Sequence, residues 1–513
     1  MASLQKIIPG LYRDSVALMQ LSATLEKMPG VERASAVMAT AANLALLQES
    51  GLLTGSMAAS PNDLLVAVRG RSGAALAAAL EAAGAALEKP SSAPAPGSPA
   101  ELPLRSLQMA LDRAPGANLA LISVPGEYAA AEAMKALRFG LNVMLFSDNV
   151  PLADEVALKH YAREHALLVM GPDCGTAIVD GIPLGFANAV RRGGIGIVGA
   201  SGTGTQQVSC LVHRCGAGVS QAIGTGGHDL QREVGGVTML AGLAALARDR
   251  DTRAIVLISK PPAPEVAAAV AAAARRAGKP VVMNFIGAPA AVAAGGRLHA
   301  ARTLEDAACA AVALARGRSA PRPTSYRAPA VRLGRMSAKQ RCVRGLYSGG
   351  TFCYEASGIL GGALGEIWSN APVDARQRIA DPWKSKGHSL IDLGDDVFTR
   401  GRPHPMIDHR LRNERLLEEA NDPGVALVVL DVVLGYGAHP DPAAEMVPAI
   451  RRAQALARRK GRWLGIVGFV CGTEEDPQGL QRQEAALRDA GVLLAPSSSR
   501  AALLAAHIAS RLP

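Results

Sequence analysis

The chain has 513 residues, with 54 basic against 44 acidic side chains for a net charge of +10, and is 49% hydrophobic, 19% charged and only 3% aromatic. That much apolar material excludes a wholly disordered chain, and at ~150 residues per domain it suggests three or four domains. So few aromatic rings argue against a single-stranded nucleic-acid platform, so the basic excess reads as attraction for small anionic substrates rather than nucleic acid.

The seven cysteines show no C-x-x-C spacing, which fits small buried thiols in a reducing cytosol and gives no metal site. The first residues lack a signal-peptide pattern, and charges break the alanine-rich stretches well short of the ~20 residues a membrane span needs. The expectation is a soluble, cytoplasmic chain without membrane contact.

In chain order, Arg33–Thr40 and Leu64–Val68 read as strands with helical spacing between and after them. Lys89–Pro103 is dense in Pro, Ser and Ala and reads as a linker. Apolar runs follow at Leu119–Val124, Val143–Phe146, Ala166–Met170, Gly194–Val198, Ala254–Ile258 and Val281–Asn284, each trailed by turn residues and a helical pattern. A second Pro- and Arg-rich linker covers Arg316–Pro329, and strands resume at Ala426–Val433, Gly465–Val470 and Val492–Leu494. Near-continuous Val/Ile/Leu runs alternating with helices predict an α/β protein of serial doubly wound, Rossmann- or flavodoxin-like parallel sheets. The predicted domains are 1–88, 104–190, 191–315 and 331–513.

Three loops that follow strands carry the chemistry. In Gly196-Ile197-Val198-Gly199-Ala200-Ser201-Gly202-Thr203-Gly204, small residues allow close backbone approach, hydroxyls cap the helix, and its first N–H groups suit phosphate or carboxylate. The turn is neither a P-loop nor G-x-G-x-x-G; its plain alternative is a well-capped β-α turn. Gly171-Pro172-Asp173-Cys174 is a second candidate ligand loop, in which Cys174 is a nucleophile or, with no basic neighbour in sequence, a buried thiol. Ser348-Gly349-Gly350-Thr351 is a third candidate cradle, and Gly345-Leu346-Tyr347 before it echoes Gly10-Leu11-Tyr12.

Among the 10 histidines, His228, His404 and His439 stand in loops with acidic neighbours, where proton transfer and plain capping are both open readings. They lie too far apart in sequence to suggest a shared metal.

These residues resemble a known family. Leu121–Pro125, Asn142–Pro151, Met170–Cys174, Gly196–Thr203 and Gly224–Asp229 are similar, in order and spacing, to the α subunit of succinyl-CoA synthetase over residues 107–315. The last third resembles the β subunit's ligase domain. The fused arrangement, with Tyr12–Ser15 and His404–Asp408, resembles the FdrA family. The resemblance implies a CoA-binding-like Rossmann domain at 104–190 and two flavodoxin-like ligase domains at 191–315 and 331–513. It also implies inorganic phosphate as a substrate, companion subunits and an oligomer.

The departures matter as much. The family's phosphorylated histidine stands in Gly-His-Ala-Gly, against Gly296-Arg297-Leu298-His299-Ala300 here, and its steadying glutamate is replaced near Ser259-Lys260-Pro261. No glycine-rich CoA loop opens the chain, and no ATP-grasp domain is evident. The resemblance thus favours phosphate-dependent carbamoyl transfer, in which oxalurate and phosphate give oxamate and carbamoyl phosphate. Ser201, Gly202, Thr203 and Asp173 would hold phosphate, and Arg13 or Arg402 the substrate carboxylate. The alternatives are an NDP-forming acyl-CoA synthetase using CoA and nucleotide, with His299 phosphorylated, and a non-catalytic scaffold.

Overall fold

The structure, a computed structural model, describes residues 2–53, 58–88, 104–287, 295–321, 326–400 and 402–513. The Lys89–Pro103 segment lies outside these residues, as do positions 322–325 of the second linker. The chain forms two units, residues 1–150 with 396–407, and residues 151–395 with 408–513.

The first unit departs from the parallel pattern. Its strands Ala2–Ile8 and Val31–Met38 flank a central strand, Leu64–Gly70, that runs antiparallel to both. Helices Ser15–Glu26 and Gly73–Glu88 cover one face through Leu18, Leu21, Leu25, Leu76 and Ala79. Strand-helix alternation looks alike in either case, because a split β-α-β unit leaves room for a later strand between its two parallel edges. Further along, strand Leu119–Ile122, helix Gly126–Arg138 and strand Asn142–Leu145 form a parallel β-α-β unit, as the pattern predicts.

The second unit carries two larger sheets. One has the order Leu298–Ala300, Val281–Phe285, Ala254–Ser259, Arg192–Ala200, Val219–Gly224, Thr176–Val179, Ile182–Gly185. Its first five strands are parallel and its last two antiparallel. The other sheet is wholly parallel, with the order Ser389–Asp392, Cys342–Tyr347, Val425–Val433, Gly465–Cys471, Leu493–Ala495. Every residue of Val425–Val433 and Gly465–Cys471 is buried, which explains their unbroken apolar runs.

The boundary expected at 190/191 falls inside the seven-stranded sheet, whose edge includes Thr176–Val179 and Ile182–Gly185. That expected between 315 and 331 separates two sheets of one unit. Asn188 joins them by donating to Leu434 O and to Asp476 Oδ2, both at 2.9 Å. Glu355 joins them again, accepting from Leu304 N at 2.8 Å and from the Ser498 hydroxyl. Short chain segments could not show these cross-sheet polar bonds, whose partners stand 51 to 288 residues apart.

Strand order reverses at two places. Arg192–Ala200 has the next strand on one side and the one after on the other, and Cys342–Tyr347 is placed likewise in its sheet. Carboxyl ends at such reversals are where open α/β sheets bind ligands. The turns at Ser201 and Ser348 leave from these two ends.

Candidate functional site

Strand Arg192–Ala200 ends where Ser201 turns extended, at φ −166° and ψ 116°, and caps helix Gly202–Arg214. Its Oγ accepts from Gly204 N at 2.9 Å, leaving the Gly202 and Thr203 N–H groups without intrahelical acceptors. The helix is buried from Gly204 to His213, so its N-terminus is rigidly aimed.

The Ser348 turn starts the same way but is filled from inside. Asp431, within the buried strand Val425–Val433, accepts from Ser348 N at 2.8 Å, Ser348 Oγ at 2.9 Å and Gly349 N at 2.8 Å. Arg412 donates to the same carboxylate at 2.7 Å, and both side chains are buried. Ser348 and Gly349, expected to cradle a ligand, therefore spend their N–H groups on the protein's own anion. Gly350 and Thr351, the first residues of helix Gly350–Leu364, are not so engaged.

Those two helices meet. Ser201 Oγ and Thr351 Oγ1 stand 2.6 Å apart, so N-termini from two different sheets converge on one point. Each presents first-turn N–H groups and the positive end of its dipole. Gly350 is required by close approach: a methyl group there would lie 2.2 Å from Asp392 Oδ2 and 3.1 Å from the Lys260 ammonium. Lys260 follows strand Ala254–Ser259, is exposed and makes no ion pair among the described residues.

Asp392 ends strand Ser389–Asp392 and is buried. Asn370 brackets its backbone with two 2.9 Å hydrogen bonds, and Gly394 N donates to Oδ1 at 2.9 Å. Burial raises its carboxyl to about 6, against the lowering effect of Lys260. Sequence reading passed over Asp392; the available signal was an acid ending the apolar run Ser389-Leu390-Ile391.

On the neighbouring strand end, Thr225 N donates to Gly199 O at 2.9 Å, and the loop continues to His228. The half-exposed His228 places Nδ1 3.4 Å from Glu155 Oε2. Glu155 Oε1 lies 2.8 Å from Lys159 Nζ, which also reaches Asp229 at 2.8 Å and Thr225 O at 2.9 Å. Lys159, Glu155 and Asp229 are fully enclosed. The bond to Glu155 raises the His228 imidazole, while Glu155 is lowered because His228 and Lys159 outweigh its burial. Gly171-Pro172, joined by a cis peptide, and Asp173, at φ +56°, pack beneath this loop. A methyl group on Gly226 (φ +83°) would lie 2.2 Å from Pro172 O. Cys174 is buried and pushed up to about 12 by desolvation, so it is an inert thiol at neutral pH.

The remaining candidates serve their own loops. His439 Nδ1 accepts from Asp441 N at 3.0 Å, and His404 Nδ1 accepts from Met406 N at 3.2 Å. Arg13 gives its two terminal nitrogens to carbonyls, Tyr12 O at 3.0 Å and Leu87 O at 2.6 Å, which removes the fork a carboxylate would need. Arg402 and His404 belong to the first unit, in the 396–407 segment. His299 lies in edge strand Leu298–Ala300, level with Val282, Val256 and Ile197. By sheet spacing it is roughly 14 Å across and roughly 13 Å along from Ser201.

Three family profiles match the chain: "CoA-ligase" over residues 346–508, "CoA binding domain" over 191–287, and "AllF, heavy metal-associated domain" over 1–102. The CoA-binding match falls on the stretch assigned above to the first ligase-like domain. Residues 1–102 contain no Cys or His, so the thiolate and imidazole ligands of a soft or borderline metal ion are missing from that stretch. The chain is 44% identical to the uncharacterized protein YahF of Escherichia coli over 97% of both chains. It is 28% identical over 149 residues to the succinate–CoA ligase alpha subunit of Staphylococcus epidermidis, a match covering 28% of this chain and 48%, about half, of that relative. Among solved structures, the dinucleotide-forming acetyl-coenzyme A synthetase 1 of Ca. Korarchaeum cryptofilum matches over 77% of this chain and 83% of that one, at 15% identity and TM-score 0.33.

Proposed function

We propose, from the premise that this chain belongs to the family of the Escherichia coli protein YahF, an enzyme of the acyl-CoA synthetase type that holds phosphate where an acyl group joins or leaves it. One observation carries this reading: two helix N-termini from separate sheets converge at Ser201 and Thr351, beside an ammonium that makes no ion pair among the described residues. Four first-turn N–H groups, two hydroxyls and Lys260 suit the several oxygens of a phosphate or acyl phosphate. When the acyl carbon is attacked, charge collects on the departing phosphate oxygens, and fixed donors stabilise it without reorganising. A thiol nucleophile such as CoA would then yield a thioester, with nucleotide entering only to regenerate acyl phosphate.

A second reading is favoured by the position of His299. An imidazole in an edge strand, well below the sheet's carboxyl edge, is poorly placed to shuttle phosphoryl groups. Direct carbamoyl transfer between oxalurate and phosphate, the reaction implied by the FdrA resemblance, uses the same phosphate site and no shuttle. In either reading we place the chain in the cytoplasm, in an oligomer with companion subunits.

The test is to supply the full-length chain, with and without companion subunits, with three alternative mixtures. These are acyl phosphate plus CoA, oxalurate plus phosphate, and carboxylate plus CoA and nucleotide. Thioester from acyl phosphate supports the first reading, and carbamoyl phosphate from oxalurate the second. Labelling of His299 by nucleotide would contradict both as stated.

A further inference from the structure

Resting on the phosphate-site reading above, we infer that Asp392 is the catalytic residue that exchanges a proton with the bound phosphate. The fold delivers its carboxyl to the site with unusual care. Asp392 is at the carboxyl end of its strand, level with Tyr347, the last residue of the strand that feeds the Ser348 turn. Asn370 fixes its backbone from both sides, Gly394 N holds Oδ1, and Oδ2 lies against Gly350, the first residue of the converging helix. A free carboxylate so close to a phosphate would repel it; a carboxyl donates a hydrogen bond instead.

The groups facing Asp392 come from every side of the site. Lys260 approaches from the end of strand Ala254–Ser259 in the seven-stranded sheet, and Asp395 from the loop that Asp392 itself begins. Asp431 approaches from strand Val425–Val433, already paired with Arg412, and Cys353 from helix Gly350–Leu364. Burial pushes the Cys353 thiol far up, so it stays neutral, whereas burial brings Asp392 to about 6. Asp392 can therefore change charge near neutral pH at moderate cost.

In the acyl phosphate direction, the thiol sulfur bonds to the acyl carbon and releases its proton to solvent. The carbon–oxygen bond to phosphate breaks with its electron pair going to oxygen. The Asp392 proton moves to that oxygen, and the carboxylate regains a proton from water.

Sulfate separates this inference from the reading beneath it, because sulfate stays dianionic from pH 5 to pH 8. In wild type, calorimetry should show sulfate binding weakening roughly tenfold as pH rises through about 6. D392N should bind tightly and nearly independently of pH, keep its fold by circular dichroism, and lose about 100-fold in kcat for thioester formation. In K260Q, which removes the cation that lowers Asp392, the midpoint of the wild-type step should move up in pH. If D392N keeps the wild-type pH step, the titrating group is His228 on the neighbouring strand end, and the inference fails. An unmoved midpoint in K260Q, or wild-type kcat in D392N, also overturns it. If wild type binds no sulfate at any pH, the phosphate-site reading itself falls.

Discussion

Two turns in this molecule begin alike and end differently. Each leaves the carboxyl end of a strand at a reversal of strand order, each runs Ser-Gly into Thr, and each opens a helix. At Ser348 the anion is built in: Asp431 fills the turn and Arg412 neutralises it. At Ser201 the side-chain oxygen caps the helix and no carboxylate occupies the first-turn N–H groups among the described residues. A turn able to hold an oxyanion will take one from the protein if the fold supplies it, so the motif alone does not identify a ligand site. What separates the two is an acid 83 residues away from Ser348, on an adjacent strand.

The comparison can be broken most forcefully at Asp431. Asp431→Ala would leave Arg412 charged in the core and the Ser348 and Gly349 amides unpaired, costing about 3–5 kcal/mol in urea unfolding. Added phosphate or formate should restore part of that loss, stabilising the variant by more than the Ser201 site alone stabilises wild type. Equal stabilisation of both proteins would show that the Ser348 turn is not the closed one.

Next in size is the open turn. Ser201→Ala should lower kcat/KM by about 100-fold, near 3 kcal/mol, through a lost oxyanion donor. Its loss of stability should be only about 1 kcal/mol, from the missing cap. Ser348→Ala should do the reverse, costing about 1 kcal/mol of stability while activity stays within about twofold. Similar activity losses in the two variants would erase the distinction between the open and the closed turn.

Glu355, on the closed turn's helix, sharpens the contrast through pH. Burial raises its carboxyl to about 7, so the folded protein holds the proton more tightly than the unfolded chain. The associated stability is full below about 4.5 and is lost as pH rises towards about 7, on the order of 3 kcal/mol. Glu355→Gln should flatten that stretch of the stability curve. The smallest effect is expected from His299→Ala: within about 0.5 kcal/mol in stability and about twofold in kcat. A large loss of kcat there would restore the imidazole shuttle.

Much of this was legible in the sequence. The buried strands announced themselves as unbroken apolar runs, and the turns at Ser201 and Ser348 as small-residue breaks before helices. The antiparallel first sheet was hidden because pairing order is not encoded in strand-helix alternation. Asp431 was in plain view, a lone acid in Leu427-Val428-Val429-Leu430-Asp431-Val432-Val433, and such an acid must find partners once buried. Glu155 and Lys159 have the i, i+4 spacing of a helix-surface pair and drew no notice in the sequence; only the fold adds Asp229, 70 residues on, and buries all three. Lys260 read as the loss of a glutamate, and the meeting of sheets turns it into a gain of positive charge.

The most direct test is a crystal structure of the full chain grown with millimolar phosphate. The account predicts phosphate against the hydrogen-bonded pair of Ser201 and Thr351 hydroxyls, within about 3 Å of N–H groups from both helices, with Asp431 still seated in the other turn. Phosphate bound at the Ser348 amides with Asp431 displaced, or an empty gap between the two helix ends, would contradict it.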